Sequence, residues 1–168
     1  MLKHKDQRVG VFIDVQNMYY SGRNLYNAKV NFGAILEQAT SDRKLIRAIA
    51  YVIKAEAPEE AKFFEALSNQ GFELKMKDLQ IFWGGVKKGD WDVGLSIDAI
   101  SLSAKLDVVV LVTGDGDYVP LVEYLKFLGQ RVEVVAFEQT TSGKLIEAAD
   151  EFFNLSAYPK KFLMTKFK

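Results

Sequence analysis

The stretch that most constrains this chain is Val108 to Tyr118, VVVLVTGDGDY. Five consecutive apolar residues, mostly β-branched and too few for an ordinary helix, predict a strand buried on both faces of a parallel sheet. The run stops in a turn that holds two carboxylates, Asp115 and Asp117, each behind a glycine. Gly114 and Gly116 permit backbone conformations closed to other residues, so the chain can turn sharply there and leave both acids at the carboxyl end of the strand. In open α/β sheets that end is where ligands bind. Two anions side by side repel, and a cation normally offsets the cost. The expectation is a divalent metal site.

A second short apolar run, Val9 to Ile13, also ends on an acid, Asp14. Asn17 follows, either capping the next helical turn or pointing into the same cleft as Asp14. Tyr19, Tyr20 and Arg23 lie in a stretch that reads as broken at Ser21-Gly22 and either line the cleft rim or sit on the surface. Asn31 reads as the cap of a helix from Phe32 to about Ala39, and Leu45 to Ile53 as a second strand. Pro58 and Glu59 open a crossover helix that Gly71 closes. Phe72 to Lys77 alternates as an edge strand does, and Gln80 to Trp83 extends it or starts another.

The helix from Asp92 to about Lys105 carries two apolar stripes. Val93, Ile97, Ile100 and Ala104 form one, and Leu95, Ala99, Leu102 and Leu106 the other, which predicts that much of the helix is buried. Asp92 is either its N-cap or a site residue. Asp98, among apolar neighbours, needs a partner, with Lys88, Ser101, Lys105 or a metal as candidates. Six helical residues put the two acids ~9 Å apart along the axis and ~120° apart around it, so they cannot both be close ligands of one ion. Helix starts share an edge with strand carboxyl ends in a right-handed crossover, which selects Asp92 for the site and leaves Asp98 supporting or structural.

Asp117 reads as the cap of a helix with Pro120 in its first turn and Gly129 as its stop, which leaves Asp115 without a structural role. Arg131 to Phe137 gives a further strand, Ser142 begins a helix to Ala149, and Phe152 to Leu155 reads as a short last strand. Ser142, Gly143 and Lys144 either cap that helix or hold an anion. Residues 1–158 are expected to form one domain, with 159–168 as a basic, solvated tail carrying Lys160, Lys161, Lys166 and Lys168.

Strands alternating with helices predict an α/β fold, a three-layer sandwich with a mainly parallel central sheet. Asp14, Asp92, Asp115 and Asp117 then fall at one sheet edge. The chain has no cysteine and one histidine, His4, in a polar N-terminal arm. An all-carboxylate donor set suits Mg²⁺ or Mn²⁺ and does not suit zinc. Such ions activate water and neutralise charge during attack at a phosphodiester. Lys87, Lys88 and Arg23 are placed to hold phosphates beside them. Lysine plus arginine and aspartate plus glutamate number 22 each, so no global basic field exists and any polyanion binding must come from a local patch. No apolar run approaches the ~20 residues that span a bilayer, and the N-terminus lacks the apolar core of a secretion signal, so the expected location is cytoplasmic, away from membranes. Phe82, Trp83 and Trp91 suit base stacking, core or rim packing, or a homodimer contact.

Other acid- or glycine-based sites each lack one essential residue. A dinucleotide-binding fingerprint lacks its third glycine, and a phosphate-binding P-loop is absent. A haloacid-dehalogenase site wants an aspartate where Gln16 stands, and a Toprim site wants a glutamate where Asp14 stands. The set FIDVQN (Phe12 to Asn17), KGDWDVGLSID (Lys88 to Asp98) and TGDGDY (Thr113 to Tyr118), in this order and spacing, resembles the NYN domain, particularly its LabA-like branch within the PIN-like nuclease superfamily. The resemblance covers about Val9 to Leu155. It implies a PIN-like fold and metal-dependent ribonuclease chemistry, with Asp14, Asp92, Asp115 and Asp117 at the acidic positions. Asn17 and Thr113 match polar positions, and Asp98 matches the second acid of the middle motif. Thr113 stands where serine is common, Tyr118 where phenylalanine is common, and Asp90-Trp91 leaves open whether Asp90 or Asp92 faces the metal. The rival reading keeps the pocket but binds RNA, a nucleotide or a protein partner without turnover.

Overall fold

A computed structural model describes residues 3–85 and 87–168, with the side chains of Lys87 and Lys88 outside what is described. The chain runs β1 (Arg8–Asp14), α1 (Val15–Tyr26), β2 (Ala28–Val30), α2 (Phe32–Thr40), β3 (Lys44–Lys54), α3 (Glu60–Asn69) and β4 (Glu73–Asp78). It continues through β5 (Gln80–Ile81), β6 (Lys87–Lys88), α4 (Asp92–Ser103), β7 (Val108–Val112), α5 (Val119–Phe127) and β8 (Arg131–Ala136). The last elements are α6 (Gly143–Ala148), β9 (Glu151–Asn154), α7 (Pro159–Phe162) and β10 (Leu163–Lys166).

Six strands form the central sheet in the order β4-β3-β1-β7-β8-β9, every neighbouring pair parallel. The apolar run of β7 explains its central place. Val108, Val110 and Val112 pack with Val9, Val11 and Ile13 of β1 in the core layer shared with Met18, Ile35, Leu67 and Phe162. Val109 and Leu111 face the other way, with Phe12, Leu95, Ala99, Val122 and Leu125. A strand apolar on both faces is stable only with a helical layer over each, which makes the molecule an α/β sandwich.

Strand order also locates the site. From β1 the chain winds outward through β3 to β4, then returns to β7 and winds the other way through β8 to β9. The direction reverses between β1 and β7, and a crevice opens outside the carboxyl ends of such a pair. Those ends carry Asp14 and the Thr113–Asp117 turn.

Several sequence expectations are corrected. Helix α1 does not break at Ser21-Gly22; both residues are buried within it. A Cβ on Gly22 would lie 2.6 Å from Val30 Cγ2, so the glycine serves a close helix–strand approach instead of a break. The segment from Pro159 is not a solvated tail. Helix α7 buries Phe162 completely, and β10 pairs antiparallel with β2, a three-residue strand too short to show in the sequence pattern. The α4 stripe of Val93, Ile97 and Ile100 faces solvent, because the sheet can cover only the opposite stripe. For Gln80 to Trp83 the second of the two readings holds: it starts another strand, β5, which pairs with β6 in a separate hairpin.

Candidate functional site

Asp14 ends β1 and begins α1. Its Oδ1 accepts the Asn17 amide at 3.2 Å, so it is both the helix cap and a wall of the crevice. Asn17 is turned to a different partner: its Oδ1 accepts the Gly114 amide at 2.9 Å, joining α1 to the turn after β7 across 97 residues of sequence. The fully buried Thr113 hydroxyl donates to Asp14 Oδ2 at 3.4 Å and accepts the Asp115 amide at 3.2 Å. Asp115 Oδ1 accepts the Asp117 amide at 2.9 Å. Capping of this turn therefore falls to Asp115, not to Asp117 as the sequence suggested, and Asp117 is left exposed.

The glycines of the turn are required by crowding. A Cβ on Gly114 would stand 2.8 Å from the Thr140 carbonyl oxygen, and one on Gly116 would stand 2.8 Å from Ser142 Oγ. Ser142 starts α6 without a side-chain capping bond, and its amide donates to the Gly114 carbonyl, bracing the turn from outside. The amino end of α4 closes the crevice from the β3 side. Trp91 occupies the N-cap position and Asp92 the first helical position, so Asp92 is not the cap.

One carboxylate oxygen from each of Asp92, Asp115 and Asp117 lies within 4.8 Å of the other two. Asp14 lies outside that trio but shares with Asp92 and Asp115 a cleft of about 360 Å³, also lined by Gln16, Asn17, Tyr20, Ser21, Asn24, Asp90 and Thr140. Among the described residues lining it, none is cationic. Burial pushes the Asp14 carboxyl up to about 6, reinforced by Asp92 and Asp115, while the Asn17 amide and Thr113 hydroxyl oppose the shift. Burial also raises Asp92, with Asp115 and Asp90 adding to it. Beside them the Tyr118 hydroxyl is buried next to Asp92 and is held firmly neutral by burial and the surrounding acids. Carboxylates crowded together in a crevice with no cation among its described lining residues fit a hard divalent cation by their chemistry.

Of the open pair, Asp92 joins the trio, while Asp90 lines the cleft and accepts the Asp92 amide at 3.3 Å. Asp98 is elsewhere. It accepts the Tyr51 hydroxyl at 2.8 Å and pairs with Lys75 Nζ at 2.7 Å, two partners that the sequence did not offer. Lys75 comes from β4, an edge strand whose contact with α4 no local pattern reveals. Arg23 is not among the cleft-lining residues; its guanidinium lies over the Phe167 ring, 5.6 Å from the centroid. The side chains of Lys87 and Lys88, expected to hold phosphate, lie outside the described residues. The sequence reading missed Gln16, Asn24 and Thr140. For Asn24 the signal was there: positions 17, 20, 21 and 24 share one helical face once α1 is unbroken. Among the described residues, no helix is long and apolar enough to cross a membrane.

The model of the NYN domain matches residues 8–156. The chain is 33% identical to a protein of unknown function from Vibrio parahaemolyticus whose crystal structure superposes with a TM-score of 0.87, covering 98% of this chain and 100% of that one. It is 23% identical to the low amplitude and bright protein LabA of Synechococcus elongatus, over 90% of this chain and 86% of LabA. An uncharacterized protein of Methanocaldococcus jannaschii shares 34% identity over 53% of this chain and 34% of its own length. The fold, at 15% identity and a TM-score of 0.50, is also that of the T5 D15 protein co-crystallized with metal ions, over 83% of this chain and 59% of that one. With its three motifs in order, its parallel α/β sandwich and its acidic cluster at the switch point, the chain belongs to the NYN domain family.

Proposed function

We propose that this protein is a ribonuclease that uses Mg²⁺ or Mn²⁺ to hydrolyse RNA phosphodiester bonds in the crevice between β1 and β7. The observation that carries the reading is the convergence of Asp92, Asp115 and Asp117 within 4.8 Å, with Asp14 in the same cleft. Four carboxylates from three separate parts of the chain would separate if nothing bound them together. Asp92, Asp115 and Asp117 would hold the ion, and Asp14 would serve as a further ligand or orient the attacking water. When bound, such an ion supplies charge neutralisation at the phosphoryl oxygens and a more acidic water.

The remaining work falls to the chain itself. Asn17 and Thr113 hold the turn after β7 against Asp14, so the acids keep their spacing as they ionise. Tyr20 and Asn24 on the α1 face give the cleft wall a ring and an amide, groups suited to a base or sugar. Without a described cation in the cleft, an RNA phosphate has little reason to stay until the carboxylates are neutralised. Binding of RNA should therefore depend on the metal as cleavage does.

The test is cleavage of a labelled single-stranded RNA with Mn²⁺, Mg²⁺ or chelator, alongside Asp115→Asn. Cleavage that needs metal and is lost in Asp115→Asn is the expected result. Binding of Mn²⁺ with no cleavage of any of several RNAs would instead favour a module that binds without turnover.

A further inference from the structure

The cleft holds carboxylates and, among its described lining residues, no cation, while the chain as a whole is neutral. Cations that hold a polyanion at this site must therefore lie beside it. Residues 15–36 contain Arg23 and Lys29 and no aspartate or glutamate. Residues 152–168 contain Lys160, Lys161, Lys166 and Lys168, again with no aspartate or glutamate. The fold brings these two acid-free stretches, distant in the chain, against each other. Strand β10 pairs with β2 so that Lys166 stands opposite Ala28, the neighbour of Lys29, and the Phe167 amide donates to the Asn27 carbonyl at 2.9 Å.

Aromatic rings join this patch to the cleft. Tyr20 and Asn24 line the cleft, and Tyr19 and Arg23, each one position earlier, form the next face of α1. The Tyr19 ring meets that of Tyr20 at 5.5 Å and that of Phe167 at 5.7 Å. Phe167 in turn carries the Arg23 guanidinium 5.6 Å and Lys29 Nζ 6.0 Å from its centroid. A ring face attracts a cation without cancelling its charge. Among the described residues, none of Arg23, Lys29, Lys166 and Lys168 pairs with a carboxylate, and all four are exposed. Cations gathered without a carboxylate repel one another and favour an anion among them.

Cations interleaved with rings, in a line that begins at the cleft, suit single-stranded nucleic acid, whose phosphates meet the charges while its unpaired bases stack. Tyr19 and Phe167 are half-buried against each other and do not project as membrane-inserting side chains do. We propose that Arg23, Lys29, Lys166 and Lys168, beside the line of rings from Tyr20 to Phe167, form a track that holds single-stranded RNA where it leaves the cleft. This rests on the reading of the cleft as an RNA site and adds to it where the strand is gripped. Lys166, Phe167 and Lys168 lie beyond residues 8–156, so the track extends past the part of the chain that the domain model matches.

The test is fluorescence anisotropy of a labelled oligouridine RNA of about 20 nucleotides, longer than one such site needs, bound to the full chain in Ca²⁺ across a salt series, with gels verifying that the RNA stays intact. Wild type is compared with Arg23→Gln plus Lys29→Gln, with Lys166→Gln plus Lys168→Gln, and with Lys44→Gln plus Lys105→Gln at the opposite, amino edge of the sheet. All six side chains are exposed, so circular dichroism and melting temperature should match the wild type. Each track pair should weaken binding at least ~5-fold and flatten the log–log salt dependence by about 1.4, at ~0.7 per phosphate, and the opposite-edge pair should do much less. In Mn²⁺ the track pairs should raise the KM of cleavage and leave kcat unchanged.

Affinity and slope that neither track pair moves more than the opposite-edge pair does would overturn the proposal, and so would equal affinity for a duplex of the same length. Phosphatidylserine vesicles that bind the wild type but not the track pairs, with RNA affinity unmoved, would assign the patch to a membrane surface and overturn it as well. RNA binding that the track pairs lose, in a protein that cleaves no RNA, would support the track and reject the nuclease reading, so the two fail separately.

Discussion

Asp14 shows how one residue carries two demands. As the cap of α1 it accepts an amide and would ionise easily; as a wall of the crevice it loses water and faces Asp92 and Asp115. Burial wins, and the carboxyl is raised from 3.8 to about 6. The folded apoprotein thus holds this proton more tightly than the unfolded chain does. The stability it contributes is fully present below about 4 and is lost as the pH rises through about 6. The expected loss is on the order of 2–3 kcal/mol. Melting temperatures measured in chelator should fall between pH 4 and 7 in the wild type and much less in Asp14→Asn. Equal slopes would show that Asp14 is not the responsible group. The identity of this acid as a strand-end residue was legible from its place after VGVFI. Its raised pKa was not, because that depends on Asp92 and Asp115, which are 78 and 101 positions away in the chain.

Helix α4 presents a similar division at the level of an element. Its length and its buried stripe of Leu95 and Ala99 follow from a 3.6-residue period. Which end enters the site is decided by Trp91. The indole Nε1 donates to the Val52 carbonyl at 2.9 Å, and the ring lies 5.3 Å from that of Tyr51 and 4.3 Å from Lys77 Nζ. Lys77 Nζ also donates to the Asp90 carbonyl at 2.8 Å, so the residues before and after Trp91 are held toward the crevice. Gly94 makes room for the ring, since a Cβ there would approach Trp91 Cε3 to 2.6 Å. Gly94→Ala should cost about 1–3 kcal/mol by forcing the indole from its place, and Trp91→Leu should recover part of it. Chemical denaturation of the two single variants and the double reads this directly. Additive losses would mean that the ring and the glycine do not interact. In α1 the sequence misled for a related reason: a serine-glycine pair signals a break locally, yet Gly22, with no side chain, serves the close approach of β2.

Across the whole molecule, the carboxyl-terminal segment closes the layer that holds α1. Phe162 is fully buried in the core layer beneath α1 and α2, 5.8 Å from the Phe153 ring, and its carbonyl accepts the Asn31 amide at 2.8 Å. Strand β10 then pairs with β2, and Phe167 packs beside Tyr19 and Arg23 at the far side of α1. Phe162→Ala should therefore destabilise the protein by about 3–5 kcal/mol, a cost that a solvated tail could not produce. Urea unfolding followed by circular dichroism is the check, and a change below about 1 kcal/mol would contradict this packing.

Local pattern alone determined the central strands, the period of the main helices and the acids at strand ends and helix starts, because those properties rest on neighbours a few residues apart. It also determined the family through three motifs in a fixed order. Only tertiary structure decided that Asp92 joins Asp115 and Asp117 while Asp98 leaves for Lys75, that Arg23 turns to Phe167, and that α4 shows an apolar stripe to solvent. Each of these depends on which distant segment fills the space beside a residue. Sheet order and the burial of apolar surface settle that for the whole chain at once.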